Sequence, residues 1–287
     1  MTRSVELVRR GLASARENLA AVTWRYVASF VAALPVALAF GALVDGYFAS
    51  SLEAERFAAG LDVQLWAELL FDRADALALF GPMLLGGLVF WVAISAFLTG
   101  GVLSTVNADV PLRTNELFAA GGRGFGRLMR LFPLGVGFSL LVVGVVGALV
   151  MLGQKKLTED WVSEQGVALT RWLGFFVIGL VLSWANGAYD LMKVEAVTRG
   201  EHRARYAFVR GVAAAGRAPL RVLAVYLPFV VLAVVVTLLF SLVDVRIART
   251  NAGLVVVAFV LQQIAAFVRS FLSVALAGAE VRLMARP

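Results

Sequence analysis

Six long apolar stretches constrain this chain more than any other feature. They run approximately over residues 26–46, 76–106, 131–153, 171–192, 222–243 and 252–279. A helix crosses the hydrocarbon of a bilayer with about 20 predominantly apolar residues, and each stretch has that length. In hydrocarbon, backbone N–H and C=O groups must be satisfied within the protein, which makes stretches of this length helices. The expected fold class is therefore all-α: a polytopic membrane bundle of six transmembrane helices, one transmembrane domain over residues 1–287. Composition points the same way. The chain is 61% apolar and 16% charged, against about 45–50% and about 25% for a soluble domain. Pro35 within the first stretch frees one backbone carbonyl and is expected to kink that helix. The first apolar stretch follows a basic amphipathic segment with no small-residue cleavage motif after it, so it reads as a retained helix.

Charge is distributed unevenly between the connections. Both termini and the segments 107–130 and 193–221 carry 18 basic residues; the segments 46–75, 154–171 and 244–250 carry 7; Arg269 completes the 26. Basic residues favour the cytoplasmic face. The expected localisation is a bacterial cytoplasmic (inner) membrane, multi-pass, with both termini cytoplasmic. The segment after the first span is acidic, with Asp45, Glu53, Glu55, Asp62, Glu68, Asp72 and Asp75, and faces outward. Within it, DVQLWAELLFDR reads as a short surface helix capped by Asp62 and carrying Trp66. The net charge of +7 is accounted for by topology, and no nucleic-acid partner is expected.

The order of features recurs along the chain. A span ends in Gly100–Gly101 or Asn186–Gly187, then comes a polar stretch with Asp109 or Glu195, then a basic amphipathic segment. In that segment Phe118, Gly121 and Arg127 answer Phe208, Gly211 and Arg217, and the next span follows at once. Arg9, Arg10, Arg16 and Arg25 make the same lead-in before the first span. Three repeats are expected, about 1–107, 108–195 and 196–287, each an amphipathic helix plus two spans, around a pseudo-threefold axis. The lead-ins place Arg127, Arg130, Arg217 and Arg221 where headgroups of anionic lipid lie on the cytoplasmic side. A protein partner or a homo-oligomer is also compatible with this layout.

Ionisable residues within apolar helices are costly and each needs a partner. Gln262, Arg269, Ser273 and Glu280 share one face of the sixth span, and Ser183, Asn186, Asp190 and Lys193 share one face of the fourth. Asp190 and Arg269 stand at similar distances from the outer ends of their spans. The expectation is an ion pair or polar cavity formed by Asn186, Asp190, Gln262, Arg269 and Ser273 in the inner half of the bundle. Gln262 and Gln263 are expected to bond between helices.

Catalytic signatures are missing. With no cysteine and only His202 as histidine, disulfides, thiolate chemistry, iron–sulfur clusters and multi-histidine metal centres are excluded. HExxH, the P-loop and GxSxG do not occur. Glu159–Asp160 lacks a surrounding ligand set, and GGRGFG at 121–126 follows a membrane span rather than a strand. No cofactor, metal or catalytic residue is expected. The alternation of basic lead-in and span, with the exit NGAYDLMKVEAVTRG, resembles the membrane domain fused to some bacterial glycerophosphodiester phosphodiesterases and its uncharacterised stand-alone relatives. That resemblance implies a six-span fold and brings no catalytic residues. The function expected is a non-enzymatic membrane subunit or scaffold; the alternative is a transporter of a small solute or lipid through the polar cavity.

Overall fold

The computed structural model describes residues 2–48, 74–108, 112–158, 164–200, 203–247 and 252–285. The surface helix around Trp66, and Asp109, Glu159, Asp160, Trp161 and His202, lie outside the described residues. Among those described, all regular structure is helical: α1 (Thr2–Glu17), α2 (Leu19–Phe48), α3 (Ala74–Asn107), α4 (Thr114–Thr158), α5 (Glu164–Thr198), α6 (Ala204–Arg217), α7 (Pro219–Arg246) and α8 (Ala252–Met284). Six of these, α2, α3, α4, α5, α7 and α8, are long and apolar enough to cross a membrane. The protein is a multi-pass integral membrane protein.

The lead-ins end in different ways. α6 stops at Ala218, whose backbone leaves helical geometry just before Pro219 opens α7. Proline lacks an N–H and disfavours helix in the residue before it, so it starts a helix readily and rarely continues one. α1 stops at Asn18, whose side-chain amide donates to the Ser14 carbonyl at 2.8 Å. The second lead-in does not stop. It runs into its span as the single helix α4 of 45 residues, with Pro133 inside. α2 likewise continues through Pro35.

The spans form two rings. α3, α5 and α8 touch one another at the centre. Each remaining span rests on two of them: α2 on α3 and α8, α4 on α3 and α5, α7 on α5 and α8. At the end that carries both chain termini, α1, the start of α4 and α6 form a collar. α1 packs on α8, the start of α4 on α3, and α6 on α5.

Each collar crossing is centred on a glycine. A Cβ on Gly121 would lie 2.7 Å from the Phe97 carbonyl oxygen, and one on Gly211 would lie 2.7 Å from the Met192 Cα. Gly11 approaches the Ala275 carbonyl even more closely. Backbones approach this closely only where side chains are absent, as in small-residue helix contacts within membranes. Aromatic rings flank two of the crossings: Phe118 sits edge-on to Trp24 at 4.8 Å, and Phe208 edge-on to Phe138 at 5.9 Å.

The buried core belongs almost wholly to this end. It includes Leu7, Val22, Leu103, Leu117, Leu131, Met192, Val225 and Ala275. Toward the opposite end, where hairpins join consecutive spans, α4 beyond Gly135 and α7 beyond Phe229 have no buried residue. The hairpin-end halves are tied by isolated hydrogen bonds, such as Gln154 Nε2 to the Thr170 carbonyl at 2.8 Å.

The crossings give a direct test. Gly121→Ala forces a methyl onto a backbone carbonyl and is expected to cost about 1–3 kcal/mol, read as a lower thermal midpoint in detergent. Gly144, with open space around its Cα, should accept alanine with no loss, because alanine is the better helix former by about 1 kcal/mol. Equal midpoints for the two variants would refute the close-approach account.

Candidate functional site: a buried charge cluster at the centre

The three central helices bring their polar faces together inside the collar. A cavity of about 70 Å³ is lined by Arg25 from α2, Thr99 and Leu103 from α3, Asp190 and Lys193 from α5, and Ser273, Leu276, Ala277 and Glu280 from α8. Asp190 and Lys193 are one helical turn apart and their side chains join in an ion pair of 2.5 Å. The Lys193 ammonium also stands 4.0 Å from the centre of the Tyr189 ring, a cation–π contact that favours the charged amine. Glu280 is 5% exposed and lines the same cavity as Asp190. Arg25 is close enough to feel both carboxylates. Two acids and two bases therefore face one another.

Two further spaces border this cavity. One of about 100 Å³ shares Thr99 and Lys193 with it and is otherwise lined by α3, α4 and α5. One of about 40 Å³ shares Arg25 and lies between α2 and α3. Pockets for small organic ligands run to about 300–1,000 Å³, so each of these spaces suits water or a small ion.

The structure divides the residues expected to form one polar site. Asp190 and Ser273 meet in the central cavity. Gln262 and Arg269 line a separate crevice between α7 and α8, together with Thr237, Ser241 and Asp244. Asn186, one turn before Asp190, lines neither. Asp190 is paired with Lys193, not with Arg269. The reason is register. α5 begins at Glu164 rather than at residue 171, so Asp190 lies farther from the hairpin end than counting from 171 implies, level with Ser273 and Glu280 on α8. Arg269 lies higher on α8 and its side chain tilts back toward the hairpin end, as helical side chains do. Gln262 and Gln263 do bond between helices: Gln262 Nε2 donates to Asp244 Oδ2 at 3.3 Å, and Tyr26 Oη donates to Gln263 Oε1 at 2.9 Å.

Of the four arginines expected at lipid headgroups, Arg130 and Arg217 are exposed and Arg221 is half-buried. Arg127 is engaged within the protein. Its Nη1 donates to the Ala196 carbonyl at 3.1 Å, satisfying a carbonyl in the last turn of α5 that has no helical partner. Beside it Glu195, 1% exposed, accepts from Arg210 Nη1 at 3.2 Å and pairs with Arg199 Nε at 3.3 Å. These contacts fasten the collar to the end of α5.

Sequence reasoning underused Arg25, Lys193 and Glu280. Arg25 counted as a topology residue, although it is the basic residue nearest the first apolar stretch. Lys193 and Glu280 already lay on the two polar faces. The i, i+3 spacing of Asp190 and Lys193 was the available signal for their pairing.

No protein-family model, characterised protein or solved structure matches this chain.

Replacing one member of the cluster should be more harmful than replacing two. Lys193→Met removes a cation from between two carboxylates and is expected to cost about 3 kcal/mol. Adding Asp190→Asn leaves Arg25 opposite Glu280 and should restore at least half of the lost midpoint. A double variant less stable than Lys193→Met alone would show that the cluster is not held by charge balance.

Proposed function

We propose that this protein is a non-enzymatic membrane subunit or scaffold of the bacterial inner membrane, with both termini and the collar in the cytoplasm. The observation that carries this reading is the central cluster. Its two acids and two bases are arranged against one another, and the spaces around it are small beside an ordinary ligand pocket. A cluster of that kind locks helices together without offering a solute a path. The basic collar supports a cytoplasmic face in contact with anionic lipid, through Arg130, Arg217 and Arg221. The three glycine-centred crossings, one per lead-in, support a chain built from three repeated units. Kinship with the membrane domain of glycerophosphodiester phosphodiesterases stays at the level of that organisation.

Transport is the second reading. It is favoured by the sharing of Arg25 and Lys193 between the central cavity and its two neighbours, because intramembrane ionisable groups beside adjoining spaces mark proton or ion routes.

Two experiments test these readings. Native mass spectrometry of protein extracted gently from its own membrane should show the 30.7 kDa chain bound to a second polypeptide. A bare monomer, together with a proton or ion flux in proteoliposomes that Lys193→Met abolishes, would replace the scaffold with a transporter. Orientation is readable because the chain has no cysteine. Gly216→Cys should react with an impermeant maleimide only from the cytoplasmic side, and Val245→Cys only from the outside; the reverse pattern would invert the topology.

A further inference from the structure

Arg269 poses a problem that the central cluster does not solve. It lies near the middle of α8, where a charge faces hydrocarbon unless something covers it. Its side chain is exposed on the bundle. Among the described residues, no carboxylate comes within ion-pair distance of its guanidinium. Asp244 lines the same crevice, and its Oδ2 accepts from Gln262.

The crevice has a defined chemistry. It holds about 270 Å³ between the hairpin-end halves of α7 and α8 and is lined by Thr237, Phe240, Ser241, Asp244, Gln262 and Arg269. That is nearly four times the central cavity and close to the lower range of ligand pockets. Thr237 donates its hydroxyl proton to the Ala233 carbonyl at 2.8 Å. Among the described residues, the guanidinium is the one cation in the lining of the crevice, and guanidinium matches phosphate and carboxylate oxygens in a two-pronged geometry. Asp244 is at the other end, nearer the close of α7. Phe240 lines the crevice itself, Leu238 beside Thr237 is exposed, and so are Val255 and Phe259, seven and three residues before Gln262 on the same side of α8; these apolar flanks suit acyl chains.

We propose that the α7–α8 crevice binds the anionic headgroup of a membrane lipid, with Arg269 on its phosphate, the Ser241 hydroxyl as a hydrogen-bond donor and the chains along the flanks of α7 and α8. The volume accommodates a phosphate-centred headgroup and is too small for a helix of a partner protein. Arg269 supplies the positive charge for an anion at its end of the crevice, Asp244 being engaged by Gln262 at the other, and the apolar rim selects a molecule with chains over a free ion. This site is separate from the cytoplasmic arginines, which lie at the other end of the bundle.

The test is native mass spectrometry of the purified full chain in mild detergent. It is titrated with dioleoylphosphatidylglycerol, with dioleoylphosphatidylcholine and with inorganic phosphate. Wild type should retain the anionic lipid in preference to the other two. Arg269→Gln should bind it about tenfold more weakly, and Ser241→Leu, which fills the crevice and keeps the charge, should also weaken it. Arg130→Gln, on the collar, should leave this binding unchanged. An unaltered thermal midpoint shows that a variant is folded; Ser241→Leu serves if Arg269→Gln is not. Three results would overturn the proposal: retention unchanged in both crevice variants, equal retention of the zwitterionic lipid, or inorganic phosphate bound as well as the lipid. A protein that copurifies with wild type and is lost with Arg269→Gln, while lipid binding persists, would assign the crevice to a partner helix and also overturn it.

Discussion

Close backbone contact between the collar and the three central helices is the interaction on which this structure rests. Within a bilayer the spans gain nothing from hiding apolar surface from water, since lipid tails are as apolar as leucine. What remains is packing, and backbones meet closely where Gly11, Gly101, Gly121 and Gly211 carry no side chain. The buried core gathers around those crossings. Farther along the spans, side chains face outward and the helices are joined by single hydrogen bonds. The protein is thus firm at its terminal end and open toward its hairpins.

The charge cluster follows from that geometry. The collar holds α3, α5 and α8 side by side, so their polar faces meet at one level, and Arg25 enters from α2. Four ionisable groups in a confined space are tolerable because each has an opposite charge at hand. Glu195 with Arg199 and Arg210, and Arg127 on the Ala196 carbonyl, do the same for the end of α5. Polar groups at this end are therefore largely occupied by one another. Toward the hairpin end the contrast is Arg269, which has a crevice and, among the described residues, no carboxylate within ion-pair reach, and that contrast separates structural charge from charge available to a ligand.

Much of the fold was legible in the chain. Span number and approximate limits, the lead-ins, and the interhelical role of Gln262 and Gln263 follow from local properties, namely apolar length, periodicity and the cost of polar groups in hydrocarbon. The polar faces of α5 and α8 were also legible, and with them Asp190, Lys193, Ser273 and Glu280. Their partners were not. A face tells which residues point inward but not how far one helix is shifted along another, and the start of α5 at Glu164 moved Asp190 away from Arg269. The continuity of α4 through Pro133 was hidden for a similar reason, since a proline breaks or only bends a helix according to what packs around it.

The sequence alone determined a membrane protein of six helices with basic lead-ins, because helix length and charge act locally and need no knowledge of neighbours. Only the tertiary structure decided which charges meet. Coulombic pairing falls off over a few ångströms, and that distance is set by helix register and by the glycine crossings, which a single chain of letters does not display. So Asp190 and Ser273 joined Arg25, Lys193 and Glu280 at the centre, while Gln262 and Arg269 were left to a crevice of their own.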